Sequence, residues 1–246
     1  MSERDKVVCG RHGETPATFV CTHVARGVAC GFHGSADDPA DQWPDAWCDR
    51  CDDVFQAAKG KWTDKAMKVA NIQLRCTHCY EAARTRNQTI PPFARGKATR
   101  LTDSESAALV HHAVDHCKRD QEASDQRWRG MARWDYDGER RTLTFSDPDR
   151  PTVVADVRHI GSLSTTTKTF QWAWETLDHD VDVEALRAFG EVRGVSKLVT
   201  ASWPATEVDA WGMTSLGYYL LGGDFVYRAP MKHLLWFMLL TWQTES

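Results

Sequence analysis

The sequence predicts an α+β protein: a small zinc-binding Cys/His module, then an antiparallel sheet covered by helices. Three observations lead there. Seven of the eight cysteines lie between Cys9 and Cys79. Charge divides in the same way: residues 1–100 carry 15 basic and 12 acidic side chains, whereas 101–246 carry 15 and 22. The later part also mixes period-2 alternation with two helix-start signatures. The expected division is a Cys/His module over 1–83, a connector over 84–100 and an α+β domain over 101–246. The connector holds Pro91-Pro92, Gly96, five basic residues and no acidic one, and residues before proline are pushed out of helical geometry.

Composition excludes several classes. Of 246 residues, 42% are hydrophobic and 26% charged, as in a soluble globular protein. A net charge of -4 argues against a protein that coats nucleic acid. No apolar run approaches the roughly 18 residues of a membrane span. The charged start, Met1-Ser2-Glu3-Arg4-Asp5-Lys6, lacks the apolar stretch of a secretory signal. A cytoplasmic protein is expected.

In the first third the spacing is informative. Cys9 and His12 form a C-x2-H pair, Cys21 and His23 a C-x-H pair, and Cys48/Cys51 and Cys76/Cys79 two C-x2-C pairs. Such spacing lets one tight turn aim two ligands at a single ion, and zinc takes four of them in a tetrahedron. Eight ligands suffice for two closed sites, so two structural zinc ions are expected. Cytosolic thiols stay reduced, which disfavours a disulfide framework. Two pairings are open: cross-braced (Cys9/His12 with Cys48/Cys51, and Cys21/His23 with Cys76/Cys79) or sequential (first with second, third with fourth). Cys30 and His33 form a further C-x2-H pair, left out because four regular pairs already fill two tetrahedra. Thr63 can cap a helix over 64–74 with Met67, Ala70 and Leu74 on one face, and Trp43, Trp47, Phe55 and Trp62 would supply most of a core too small to stand without metal.

In the remainder, Thr102-Asp103-Ser104-Glu105 opens a helix to about Trp128. Strands are expected over 131–136 and 141–145 around the Asp137-Gly138 turn, then over 153–160 and 165–174, as a four-stranded meander. Phe170, Trp172 and Trp174 alternate with Thr169, Gln171 and Ala173, giving one aromatic face. A helix over 183–192 precedes a strand over 195–201. A second capping pattern, Thr206 to Asp209, opens a helix through Leu221 that ends at Gly222-Gly223. Segments 225–228 and 234–242 close the domain as strands, with a buried helix as the alternative for the last.

Roughly residues 105–240 resemble a bacterial domain family of unknown function. The matching features are Ile160-Gly161-Ser162-Leu163, Phe170-Gln171-Trp172-Ala173-Trp174-Glu175, Leu186-Arg187 with Gly190-Glu191, and Tyr227-Arg228-Ala229-Pro230. The Cys/His segment, with Phe19-Val20-Cys21 and Ala46-Trp47-Cys48, is similar to one found in other uncharacterised bacterial proteins. Neither resemblance supplies an activity or catalytic residues. Small domains of this kind often accompany toxins as immunity proteins, an inference by analogy.

Several residue groups in the second part could support catalysis instead of a binding role. His112 and His116 stand at i and i+4 on one helix, able to share a metal ion with Asp115 or Asp120, but without a Glu after the first His. This makes a metal-dependent hydrolase the alternative reading. His159 and Ser162 with Asp156 lack the G-x-S-x-G elbow. Glu175, Asp178, Asp180, Asp182 and Glu184 form an acidic run best read as a solvated loop leading into a helix N-terminus. A nucleic-acid-binding zinc adaptor, with 84–100 on the phosphates, is a third reading; the Cys/His spacing lacks the C2H2 finger form, so nucleic acid is not favoured. The expectation is a non-enzymatic protein-binding protein, in its specific form an immunity-type inhibitor whose acidic, Trp-bearing second domain captures a basic toxin.

Overall fold

A computed structural model describes residues 5–10, 12–35, 41–88, 100–128, 133–173 and 181–243. In chain order the elements are β1 (Lys6–Cys9), β2 (Gly13–Val20), α1 (Thr22–Arg26), β3 (His33–Gly34), β4 (Ala46–Trp47), α2 (Asp49–Ala57), α3 (Asp64–Ala70), β5 (Gln73–Cys76), α4 (Thr77–Gln88) and α5 (Asp103–Trp128). There follow β6 (Arg133–Asp137), β7 (Thr142–Asp147), β8 (Arg150–Ser164), β9 (Thr169–Trp172), α6 (Val181–Arg193), α7 (Ser196–Val199), β10 (Ser202–Pro204), α8 (Glu207–Leu221), β11 (Phe225–Pro230) and β12 (Leu234–Trp242). The class is α+β, as expected. Two compact units form: Met1–Asp103 with Glu184–Val199, and Ser104–Val183 with Thr200–Ser246.

In the first unit β2 is the organising strand. It pairs antiparallel with β1 and with β5, and its last residue, Val20, pairs parallel with Ala46 of β4. The core gathers Val20, Val24, Ala46, Trp47 and Tyr80 with Ala188 and Val192 of α6, which arrive from far downstream. Arg193 fastens that helix. It is 1% exposed, 2.7 Å from Asp49, and donates to the Ala29 carbonyl at 2.8 Å. Gly190 is required where α6 meets α7, because a Cβ there would lie 2.5 Å from the Leu198 Cβ.

Two expectations for this unit change. The helix capped by Thr63 stops at Asn71, which is left-handed with φ 44°, and the chain turns into β5. Ala66 and Ala70 are its buried residues, while Met67 and Leu74 are 45% and 49% exposed. Of the expected aromatic core, Trp47 is buried, and Phe55 and Trp62 lean on it at 5.5 and 5.1 Å. The start of the expected connector, 84–88, completes α4, where buried Asn87 donates to the carbonyls of Val24, Gly27 and Ala83. Residues 89–99 lie outside the described residues.

The second unit is built on β8. One edge carries β12 along 155–164; the other carries β7 near its start and β9 near its end. β6, β7, β8 and β9 form the expected meander, β10 pairs with β9, and β11 pairs with β12. α8 opens with the expected Thr206–Asp209 capping box, ends at Gly222, and sets Trp211 edge-on against Phe237 at 5.6 Å. The opposite sheet face buries Leu143, Ala155, Val157, Ala229, Met238 and Leu240. There, rings from strands on opposite sides of β8 meet: Trp134 with Tyr227 at 6.3 Å and Phe145 with Tyr227 at 5.3 Å. The sheet is therefore curved enough on this face for side chains from the two sides of β8 to touch. At Gly161 a Cβ would sit 2.5 Å from the Phe170 ring, which explains the glycine of the Ile-Gly-Ser-Leu string.

Two strand expectations change here. Residues 196–199 form α7 instead of a strand. Val195 and Val199 are β-branched, but with Leu198 their spacing is helical, and Leu198 is buried against α6. The strand expected over 165–174 shortens to β9, with residues 165–167 in a turn. Trp174 lies outside the described residues; Phe170 and Trp172 are fully buried on one face while Gln171 is exposed. The last segment is a strand, not a helix.

Candidate metal centres

Three of the four pairs begin where a strand becomes a helix. Cys21 follows β2 and caps α1, Cys48 follows β4 and caps α2, and Cys76 ends β5 just before α4. The second ligand lies in the first helical turn: His23, Cys51 and Cys79, respectively. The fourth pair, Cys9 and His12, occupies the turn of the β1–β2 hairpin. Helix N-termini favour a thiolate through their unpaired amides and dipole. Accordingly, the Val24 and Cys48 amides donate to the Cys21 sulfur at 3.4 and 3.3 Å, and the Cys79 amide donates to that of Cys76 at 3.4 Å.

Two clusters result, Cys9/His12/Cys76/Cys79 and Cys21/His23/Cys48/Cys51, each with ligand atoms within 4.8 Å of one another. All eight sequence-derived ligands are brought together, but in neither of the two expected pairings. The arrangement is nested, first pair with fourth and second with third. Sheet register explains it. β5 runs antiparallel to β2, so Cys76 lies opposite Ala17 and heads for the hairpin end of β2. Cys21 leaves the other end beside β4 and therefore meets Cys48. Pairs equally spaced along the sequence give no sign of which end of β2 each will reach. Cys30 and His33 are in neither cluster: the Cys30 thiol donates to the Val28 carbonyl at 3.4 Å, and His33 bonds Asp49 at 2.8 Å.

The geometry fits a tetrahedral ion. Zinc–sulfur and zinc–nitrogen arms of about 2.3 and 2.0–2.1 Å at tetrahedral angles give S···N edges of roughly 3.5 Å. In the outer cluster His12 Nδ1 lies 3.6 Å from Cys9 Sγ, 3.3 Å from Cys76 Sγ and 3.5 Å from Cys79 Sγ. In the inner cluster His23 Nδ1 lies 3.5 Å from Cys51 Sγ. The eight cysteines form no disulfide. The inner four ligands are buried, whereas Cys9 and Cys79 are partly exposed.

The thiols of the inner cluster hydrogen-bond one another, and this shifts their ionisation. Burial pushes the Cys48 thiol up, and neighbouring Cys21 and Cys51 add to the effect. Cys51 is raised to about 12, chiefly by its hydrogen bond with Cys21. Burial opposes ionisation of Cys21 as well, but hydrogen bonds from Cys48, Cys51 and His23 hold it well below the usual thiol range. The four side chains thus pull ionisation in opposite directions, toward the thiolate at Cys21 and away from it at Cys48 and Cys51. A cation bound there would displace the thiol protons.

The remaining candidates stay apart. His112 and His116 meet the Tyr219 ring at 5.2 and 5.3 Å, and His116 lies 3.5 Å from Asp120, which accepts from Tyr218 at 3.0 Å. Asp115 pairs instead with His111 at 3.4 Å. Among the described residues no third Cys/His/Asp/Glu cluster has metal-binding geometry. His159 turns to the Gly161 carbonyl at 3.0 Å, and Asp156 accepts from Gln243 at 2.8 Å, so neither serves Ser162. Of the acidic run, Glu175, Asp178 and Asp180 lie outside the described residues, as does the Asp182 side chain; Glu184 pairs with Arg26 at 3.6 Å. In the basic stretch, Arg84 covers the Phe32 ring and pairs with Glu81, and Arg86 donates to the Ala25 carbonyl. Asn87, Glu191 and Arg193 carried no signal in the sequence: Asn87 and Arg193 are buried polar residues announced only by their neighbours in space, and Glu191, 35% exposed, looks like any helix-surface carboxylate.

Fold and clusters together define an α+β protein whose first unit carries two Cys3His clusters of metal-binding geometry. The chain belongs to a family of unknown function, DUF6882, which matches residues 107–242. No curated protein and no solved structure matches it. The eight Cys and His residues of the two clusters all precede the matched segment, but α6 lies within it. No helix among the described residues is long and apolar enough to cross a membrane.

Proposed function

We propose that each cluster holds one structural zinc ion and that the protein acts by binding a protein partner, not by catalysis. The observation that carries this reading is the pair of complete four-ligand sets, each three thiols and one imidazole, with S···N edges of tetrahedral length. A catalytic zinc keeps one position for water. Here four side chains fill the tetrahedron, and three thiolates would neutralise the ion's Lewis acidity. Metal analysis of chain purified without added zinc is the direct test. Two zinc ions per chain, released together with loss of the folded first unit, support the proposal; a chain that folds fully and takes up none overturns it.

The narrower form is an immunity-type inhibitor of a basic bacterial toxin. Its support is the acidic balance of residues 101–246 and the abundance of tryptophan, 11 in the chain. An acidic surface accelerates capture of a basic partner, and tryptophan is favoured at binding hot spots. Co-expression with a basic toxin encoded beside it tests this form. Rescue of growth together with a salt-sensitive complex supports it; failure of both removes it and leaves the zinc assignment standing.

A further inference from the structure

We propose that Glu191 is the positioning carboxylate of the inner centre, orienting His23 so that Nδ1 is presented to the ion; this rests on reading that cluster as a zinc site. A histidine that binds metal through Nδ1 carries its proton on Nε2, and a carboxylate facing that nitrogen fixes the tautomer and raises ligand basicity. His23 has the groups of this layout, with the carboxylate at ion-pair distance. Its side chain is 5% exposed, Nδ1 lies 3.5 Å from Cys51 Sγ within the cluster, and Nε2 lies 3.8 Å from Glu191 Oε2.

Glu191 is itself held. Its other oxygen, Oε1, is 3.4 Å from Arg187 Nε one helical turn earlier. Arg187 and Glu191, one turn apart on α6, thus make a chain of contacts that ends at His23 of α1 and its cluster. The helix cannot drift from this position easily, because Arg193 grips Asp49, the residue immediately after ligand Cys48. A cleft of about 240 Å³, lined by His23, Arg26, Glu184, Arg187 and Glu191 among others, opens beside the pair. The pair thus lies at the rim of the core, His23 buried and Glu191 partly open to this cleft. The outer histidine is supported differently, its ring lying 5.1 Å from that of His78.

The assignment also gives a chemical role to the Gly190-Glu191 dipeptide, which lies inside the family-matched segment while the ligands lie outside it. Gly190 lets α6 and α7 close together, and Glu191 reaches the cluster.

The test uses the full-length, metal-loaded chain with Glu191→Gln, which removes the charge at constant size, and Glu191→Ala. Zinc affinity is read by competition with a chromogenic chelator. Each site is followed separately by cadmium-113 resonance of the cadmium-substituted protein, the outer signal being the one that Cys9→Ser abolishes. The expected result is a loss of about 10-fold or more in the affinity of the inner ion for Glu191→Ala. Glu191→Gln should show a smaller loss in the same direction. The inner resonance should shift while the outer ion and its resonance stay unchanged. Equal weakening of both ions, or no change in either, overturns the proposal. Should Glu191→Ala fail to fold, Glu191→Gln decides on the same two readings. A wild-type chain that takes up no metal overturns the zinc reading and this one with it, whereas two tightly held ions indifferent to Glu191 overturn only this one.

Discussion

The outer and inner clusters use the same ligands, three thiols and one imidazole, in opposite surroundings. The outer one closes a hairpin turn near the surface, with Cys9 and Cys79 partly exposed. The inner one is wholly buried, and its cysteines belong to the same core as Val20, Val24, Tyr80, Ala188 and Val192. Ligand chemistry is set by local spacing, and so is alike at both. What each ion would do for the fold is set by what packs around it, and so differs. An ion in the inner position replaces part of a hydrophobic core; one in the outer position fastens β1–β2 to the start of α4.

The strongest way to break this comparison is to remove one ligand from each cluster. Structural zinc can contribute on the order of 10 kcal/mol of folding free energy. Cys48→Ser should therefore abolish the cooperative unfolding of the first unit and release the inner ion. Cys79→Ser should lose only the outer ion and keep a cooperative, less stable transition. Zinc stoichiometry and circular-dichroism melting curves check both. Equal collapse of the two variants would show that the clusters fold as one unit and that burial does not separate their roles.

The next largest effect concerns α6. Arg193 is almost fully buried and pairs with Asp49, whose side chain is 21% exposed. Breaking a buried pair by deleting one partner typically costs about 3–5 kcal/mol, and here Asp49 keeps His33 as a second partner, which puts the cost at the lower end of that range. Arg193→Ala should lower the first unit's stability by about that amount in urea titrations and accelerate metal loss from the inner cluster more than from the outer. A loss below about 1 kcal/mol, of the size expected for a surface ion pair, would mean that α6 is not fixed to the cluster by this residue.

A smaller effect involves His33, bonded to the same Asp49. That hydrogen bond raises the His33 pKa against an opposing effect of burial, and the Asp52 charge adds to it. Asp49 is pushed up by burial, yet His33 and Arg193 together leave it below the usual carboxylate value. The raised histidine contributes stability below its unfolded value of about 6.5 and loses it as pH climbs through the folded value. The depressed aspartate contributes above about 3.9 and loses it as pH falls through its folded value. The difference in urea midpoint between wild type and His33→Gln should thus be largest near pH 6 and shrink toward pH 8. A difference that grows over that interval would reverse the assigned direction.

These effects follow the line between what the sequence displays and what it conceals. Which Cys and His residues gather into clusters was largely legible, because close pairing in sequence lets one tight turn aim two side chains at one point, although Cys30 and His33 share that spacing and join neither cluster. Ligand pairing was not, because it depends on β5 running antiparallel to β2. The capping box at Thr206 and the hairpin at Asp137-Gly138 were legible for the same local reason. The downstream helix that completes the first core was hidden: nothing in Ala188, Val192 or Arg193 says which core will receive them.

The smallest effect tests that distinction at one residue. By sequence, Leu74 continues the Met67–Ala70 stripe and belongs in the core of a helix. In the structure, left-handed Asn71 ends that helix, and Leu74 stands on β5 opposite Phe19, both of them exposed. Leu→Ala in a packed core costs about 2–5 kcal/mol, whereas surface changes usually stay within about 0.5 kcal/mol. Leu74→Ala should fall in the second range in urea titrations, with both metal affinities unchanged, and Ala70→Leu should be the damaging substitution, because Ala70 is fully buried and a larger side chain would overpack its site. The reverse order would mean that the helix continues past Asn71, and the antiparallel β2–β5 register that explains the nested pairing would fall with it.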